Sequence, residues 1–300
     1  MTVGNIESFN REQIFGILNR INFPLVDPNV LPEPTFENLR ELQYRCVTSI
    51  PFETLSLRTT KARSVDTSLE GIYDRIVNKR RGGWCFSLNR LGFELLRAIG
   101  YTVQFALGRI CDSTSDPMNY TGLTHRTTIV RFEDGSKYVF EMGFGCTFYY
   151  PIELKDGATI EYFGFKNRLV KTVHNKSEPH LLGNPAQELW MVEANQGEDK
   201  WVPGFVFSEQ QFFDIDCEIG NYYSCFSPKA ALYSAFWIMQ GTLDGTYYQL
   251  MGKEMKIRTS SGTQERIEFE KEQDRLDALE KYFGIVLTED ELKYHDQKIE

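Results

Sequence analysis

A cysteine, a histidine and a carboxylate can together make a nucleophile, and this chain offers few ways to assemble the three. Of the six cysteines (46, 85, 111, 146, 217 and 225), Cys85 stands in the run Arg81-Gly82-Gly83-Trp84-Cys85-Phe86-Ser87-Leu88-Asn89. Leu88, Leu91, Leu95, Leu96 and Ile99 follow at helical spacing, and Gly100 is a natural stop. The spacing predicts a core-facing helix with the Cys85 sulfur in its first turn. Partial positive charge and unpaired N–H groups at a helix N-terminus favour an anion, and the thiolate is the nucleophilic form of cysteine. The two glycines are expected to let a substrate approach the backbone closely. A buried structural thiol is the competing reading.

A catalytic thiol needs a base, and the base needs an orienting group. There are four histidines. His295 falls in a charged tail, and His174 and His180 fall in a segment with two prolines, read as an exposed loop over 174–185. His125 heads the strand-like run His125-Arg126-Thr127-Thr128-Ile129-Val130, and Glu141 lies in the returning apolar run Tyr138-Val139-Phe140-Glu141-Met142. An acid there is costly to bury without a partner, and His125 is the nearest candidate. Pairing them sets a condition. A two-residue turn at Asp134-Gly135 would put Glu141 on the opposite face from His125. An odd-length loop or a one-residue bulge restores the same face, so one is predicted.

The elements that must position these residues follow from periodicity. Ile14, Phe15, Leu18 and Ile21 predict a first helix, and Phe36 to Cys46 a second that ends before Ile50-Pro51. A third starts near Asp66, Thr67 or Ser68, each able to cap it. Lys79, Arg80 and Arg81 fall at its end, either as cations suited to the helix dipole or as a phosphate contact. From Tyr101 the pattern turns to strands: Tyr101–Ile110, Thr127–Phe132, Lys137–Glu141, Thr147–Tyr150, Glu161–Phe165 and Trp201–Phe207, with a turn at Gly197-Glu198-Asp199. Beyond Phe212 short strands mix with helix. A hairpin is predicted near Ser260-Ser261-Gly262, and a last helix over Arg275–Phe283 stops at Gly284.

Composition narrows the classes. With 41% hydrophobic and 14% aromatic residues, the chain can bury a sizeable interior in two or three subdomains. A net charge of −9 argues against broad nucleic-acid binding. No apolar run reaches membrane-span length, and Met1 to Arg11 lacks the apolar core of a signal peptide. The cysteines form no CxxC pair, so reduced thiols in a cytoplasmic protein are expected, and no metal site.

With Cys85, His125 and Glu141 in view, nearly the whole chain resembles the arylamine N-acetyltransferases. Ile50-Pro51-Phe52-Glu53-Thr54-Leu55 resembles the family's PFENL segment, and Arg81 to Cys85 matches its RGGWC motif. Thr124-His125, Gly143-Phe144-Gly145, Asp216-Cys217-Glu218 with Asn221-Tyr222-Tyr223 and Ser227-Pro228, and Phe283-Gly284-Ile285-Val286-Leu287 match later stretches. The order of cysteine, histidine and acid fits as well.

The resemblance implies an α+β fold: a helical bundle over 1–100, a central β-barrel over 101–207 and an α/β lid over 208–300, carrying a papain-like triad. It implies Cys85 as nucleophile, His125 as base and Glu141 as orienting acid. Phe52, Phe144 and Thr124 would line the acceptor site, and Thr121, Gly122, Tyr223 and Lys229 would contact coenzyme A. The reaction implied is acyl transfer from acetyl-CoA to an aromatic amine or hydrazine through an acyl-cysteine, in ping-pong order. The implied partners are these small molecules, with no nucleic acid or membrane, and no oligomeric state is implied. Malonyl-CoA as donor and a thiol hydrolase are the alternatives on the same triad; a catalytically inactive binding protein is the non-enzyme reading. Two departures stand out: the family's acid is usually Asp, where this chain has Glu141, and Cys225-Phe226 replaces small hydroxyl residues before Ser227-Pro228.

Overall fold

The computed structural model describes residues 8–115, 118–175, 186–195 and 200–299. Helices dominate the first hundred residues because their apolar positions recur at helical spacing and polar side chains cap them. Helix α1 (Arg11–Arg20) opens on a capping box, in which Asn10 accepts from Gln13 N while the Gln13 side chain accepts from Asn10 N. Helix α2 (Phe36–Ser49) is capped by Thr35 and gives way at Ile50, the residue before Pro51. A two-residue strand β1 (Phe52–Glu53) and the short α3 (Ser56–Thr59) follow. Of the three candidate caps at 66–68, Ser68 starts α4 (Leu69–Tyr73) by accepting from Gly71 N. This helix widens into a π-turn over Asp74–Asn78. Helix α5 (Cys85–Ile99) runs from Cys85 to its left-handed stop at Gly100.

The β region comprises β2 (Thr102–Asp112), β3 (Asn119–Tyr120), β4 (His125–Arg131), β5 (Lys137–Phe140), β6 (Ile152–Glu153), β7 (Thr159–Tyr162), β8 (Phe165–Val173), β9 (Glu188–Asn195) and β10 (Val202–Phe207). They form one antiparallel sheet in the order β6-β5-β4-β2-β10-β9-β8-β7, with β3 paired to β2. The end strands approach each other, so the sheet curls into a nearly closed barrel. Ala106, Ile129, Val139, Phe148, Leu169, Val192, Phe205 and Phe207 fill its interior.

After the barrel come α6 (Asp214–Phe226), β11 (Trp237–Gly241), β12 (Tyr247–Met251), β13 (Glu254–Arg258), β14 (Gln264–Glu268), α7 (Glu272–Phe283) and α8 (Glu289–Tyr294). The second sheet has the order β1-β11-β12-β13-β14, so it takes one strand from the first fifth of the chain. Leu279 and Phe283 of α7 pack on Ile238, Leu250 and Met255 of this sheet.

Three expectations are corrected here. Thr147–Tyr150 is not a strand, although Phe148 and Tyr149 are buried. The run 161–165 is a turn between two strands: Phe163 (φ +48°) and Gly164 (φ +75°) form a two-residue loop joining Tyr162 to Phe165. His295 is buried, its Nε2 lying 2.9 Å from Glu272 Oε1 and 3.1 Å from Arg275 Nη2, with the ring stacked on Phe236. The turn at 197–199 and nearly all of the 174–185 loop lie outside the described residues.

Candidate active site

Cys85 is the first residue of α5, and Trp84 before it is extended with no side-chain cap on the helix. The end is held from outside. The indole Nε1 of buried Trp84 donates to Asn221 Oδ1 of α6 (3.1 Å), and Asn221 Nδ2 donates on to Val65 O (3.3 Å). Before Trp84 the two glycines do a different job from the one expected. A Cβ on Gly82 would come within 1.9 Å of Pro51 O, and one on Gly83 within 2.3 Å of Ser87 Oγ. The missing side chain of Gly82 admits the chain's own segment 51–53, and that of Gly83 admits Ser87, so neither gap is open to a substrate. Glu53 N donates to Gly83 O (2.8 Å), and Phe52 bridges Gly83 in parallel while pairing with Met239 of β11. Arg81 is likewise spoken for: it is buried between Glu53 (3.4 Å) and Glu291. Arg81 therefore makes no phosphate contact, and Lys79 pairs with Asp74.

The hairpin that carries His125 and Glu141 has the odd-length loop that the pairing required. Phe132 N donates to Ser136 O, leaving Glu133-Asp134-Gly135 as a three-residue loop with Gly135 at φ +87°. The register pairs Thr128 with Phe140. Extended one residue further, it sets Glu141 opposite Thr127 and therefore diagonal to His125 on one face. Opposite His125 stands Gly108, where a Cβ would meet Val206 O at 2.8 Å. Phe205 packs against the imidazole with ring centroids 4.3 Å apart, and Phe144 meets it edge-on at 5.6 Å.

His125 Nε2 lies 2.9 Å from Glu141 Oε2. The other carboxylate oxygen, Oε1, accepts from Asn89 Nδ2 (2.7 Å) and from Gly143 N (2.6 Å). Asn89 also donates to Arg126 O (2.5 Å) and accepts from Met142 N (3.0 Å), so it fixes both strands of the hairpin to α5. Gln43 of α2 accepts from Glu141 N and donates to Phe148 O. Glu141 and His125 are fully buried; Cys85 is 6% exposed. With Nε2 turned to Glu141, Nδ1 is the ring nitrogen left for Cys85. Burial works against a charged ring, but the Glu141 carboxylate and the Cys85 side chain outweigh it and lift the imidazolium to about 10. The Cys85 thiol also reaches Thr124 O at 3.6 Å. Gly143 touches the same corner, since a Cβ there would lie 2.5 Å from Cys85 Cα. The arrangement can hold a sulfur anion beside an imidazolium and pass a proton through Nδ1.

A family model described as N-acetyltransferase matches residues 35–292. The chain belongs to the arylamine N-acetyltransferase family. It is an acetyltransferase enzyme by that membership. It is 27% identical over 259 residues to the arylamine N-acetyltransferase of Mycolicibacterium smegmatis, covering 85% of this chain and 87% of that one. It is 24% identical to an N-malonyltransferase of Fusarium pseudograminearum over 81% of this chain and 76% of the relative. In fold it resembles the arylamine N-acetyltransferase from Mycobacterium abscessus (TM-score 0.80, 22% identity, 94% and 93% of the two chains). It also resembles that of Mycobacterium marinum in complex with CoA (TM-score 0.77, 24% identity, 95% of each chain).

The other residues expected at this acetyltransferase site are spread more widely. Phe144 is half-buried beside His125, and Phe52 is buried in β1. The Thr124 hydroxyl pairs with that of Thr121 at 2.8 Å, and Thr121 and Gly122 are exposed on the segment leading into β4. Tyr223 and Lys229 are exposed at the end of α6 and just beyond it. Asn89, Gln43, Gly143 and Phe205 were missed. Asn89 carried a signal: it falls one helical turn after Cys85 on a face otherwise apolar. Among the described residues no group of acidic, histidine or cysteine side chains could hold a metal ion, and no helix is long and apolar enough to cross a membrane.

Proposed function

We propose that this enzyme transfers an acetyl group from acetyl-CoA to an aromatic amine or hydrazine in two half-reactions through Cys85. The observation that carries the reading is the His125 ring, bonded through Nε2 to a buried carboxylate at the uncapped start of the helix that opens with Cys85. The Cys85 thiolate attacks the thioester carbonyl. The oxyanion is met by backbone N–H groups of the first turn of α5. The carbon–sulfur bond to coenzyme A breaks, and the imidazolium of His125 protonates the departing thiolate. The amine nitrogen then attacks the acetyl-cysteine, His125 takes its proton, and the Cys85 thiolate returns. Glu141 keeps the ring in the tautomer that serves both steps.

In this reading Phe52, Phe144 and Thr124 line the acceptor site, and a flat aryl ring suits the two aromatics. Thr121, Gly122, Tyr223 and Lys229 contact the donor; all four are exposed. The same reading divides the chain near 100 and 207 into bundle, barrel and lid, and puts the protein in the cytoplasm. A malonyl donor calls for a cation near its free carboxylate. Arg126 leaves the opposite face of β4 from His125, and packs on Phe105 beside Asp214 and Cys217. Arg109 donates to Thr121 O. Neither supports malonyl over acetyl.

Incubation with acetyl-CoA followed by intact-mass measurement tests the proposal. The expected result is a gain of one acetyl group on Cys85, discharged by an arylamine. Faster acylation by malonyl-CoA would change the donor. Peptide cleavage without an acyl-enzyme would make the protein a thiol hydrolase.

A further inference from the structure

Phe144 stands between two glycines that are each tied down. Gly143 N donates to Glu141 Oε1 (2.6 Å), which fastens one side to the triad acid. On the other side the chain turns through Gly145 at φ +67° and Cys146 at φ +56°. A left-handed cysteine is strained, and Cys146 is buried, so the surrounding structure must impose this turn. The anchor comes from the C-terminal sheet. Tyr247, the first residue of β12, donates its hydroxyl to Gly145 O at 2.7 Å. Among the described residues no other donor reaches that carbonyl. The Tyr247 ring has no room to swing away, since it is buried and Phe165 of β8 packs edge-on against it with centroids 5.0 Å apart. Met239 of β11 backs the same glycine: a Cβ on Gly145 would lie 3.1 Å from its Sδ.

What this turn aims is the Phe144 ring. The ring meets the His125 imidazole edge-on and lies 5.1 Å from the Phe205 ring, centroid to centroid. A Cβ on Gly204 would come within 3.0 Å of it, so it is pressed closely from that side. Moving the Gly145 carbonyl would therefore shift the ring relative to His125 while leaving the bond from His125 to Glu141 in place. A second tyrosine supplies a comparison. Tyr149 is also buried, but its hydroxyl has no hydrogen-bond partner among the described residues.

We infer that Tyr247 is a positioning residue for the acceptor: through Gly145 it sets where Phe144 lies, and so how well a flat aryl group seats beside Cys85. The inference rests on the acceptor site proposed above. Tyr247 bonds to no member of the triad, and it acts from the second sheet on a loop of the barrel. Removing its hydroxyl leaves a carbonyl without a donor and releases one of the two ties on Phe144. The loss falls on aryl recognition and spares the thiolate, because Glu141, Asn89 and His125 bond to one another on the Gly143 side.

The experiment compares two alkylating reagents on Cys85 of the full chain. One is iodoacetamide; the other is N-phenyl iodoacetamide, which delivers the same carbon and adds an aryl ring. Each rate is read by peptide mass at neutral pH and divided by the reagent's rate with free cysteine. The wild type is expected to prefer the aryl reagent. Tyr247→Phe should lower that preference at least about fivefold, while its iodoacetamide rate stays within about twofold of the wild type's. Tyr149→Phe also deletes one buried hydroxyl and should keep the preference. Thermal melts of both variants check that they are folded. A wild type without aryl preference, an unchanged preference in Tyr247→Phe, an equal fall in Tyr149→Phe, or a fall in both reagents' rates alike overturns the inference. Neither reagent needs coenzyme A. The ratio is therefore read whether or not acetyl-CoA loads Cys85, which tells a failure of the transfer reading apart from a failure of this one.

Discussion

Replacing Glu141 with Gln tests the central physical step, because it removes one charge and almost no volume. In the wild type the buried His125 ring keeps its proton to about 10, against 6.5 for a free imidazole. Burial opposes that rise, and the Glu141 carboxylate is the largest of the causes that produce it, so the substitution should remove much of it. The introduced amide could still accept from Asn89 and Gly143 through its oxygen. Its NH₂ would then face Nε2, so a neutral ring must present a lone pair there and Nδ1–H to the sulfur, the wrong tautomer for a base. The assay is the rate of Cys85 alkylation by iodoacetamide, followed by mass across about pH 6 to 10. At neutral pH the variant should react at least about tenfold more slowly. The two rates should draw together toward pH 10, where about half of the wild-type rings have lost their proton. Equal rates at neutral pH would refute the charge argument. A deficit undiminished at pH 10 would show that the substitution had acted through structure instead.

Three further outcomes follow. His125 binds its proton more tightly folded than unfolded, so its contribution to stability is complete below about pH 6.5 and lost as pH rises through about 10. Urea titrations should show stability falling across that window and a flatter profile for Glu141→Gln. Gly143→Ala would push a methyl against Cys85 Cα and Asn89 Nδ2, both under 3 Å from the new Cβ. It should cost about 1 to 3 kcal/mol by thermal melting and lower kcat more than tenfold. Arg81→Met strands Glu53, which is 1% exposed, and should cost about 3 kcal/mol by denaturant titration, with unaltered stability counting against the buried pairing.

Much of the site was legible because its constraints are local. The side-chain period of two forbade a simple turn between His125 and Glu141, and the three-residue loop ending in Gly135 obeys that constraint. The same loop recurs at Leu243-Asp244-Gly245 and at Ser260-Ser261-Gly262, where the hairpin was also expected. Non-local requirements were not legible. Gly82 and Gly83 look like a cradle for a ligand until segment 51–53 is seen lying against them. Arg81 looks solvent-facing until Glu291, from the far end of the chain, meets it. The turn at Phe163 was hidden because a large aromatic with positive φ carries no turn signal of its own. Gln43 and Phe205 reach the triad from α2 and β10, which no spacing within either segment announces. Helix α6 was expected only as helix mixed with short strands beyond Phe212, and which of its sides faces inward is decided by Trp84 and Phe86 at the start of α5.

Strand β1 has one further consequence. Two residues made early lie between Gly83, next to the reactive end of α5, and Met239 of β11, made after three-quarters of the chain. On a ribosome the bundle can gather its apolar faces as it emerges, but the edge of β1 has no partner until Trp237–Gly241 has been synthesised. Chains stopped short of that point would therefore hold their cysteine on an unsupported turn, and competence would arrive late in translation and all at once.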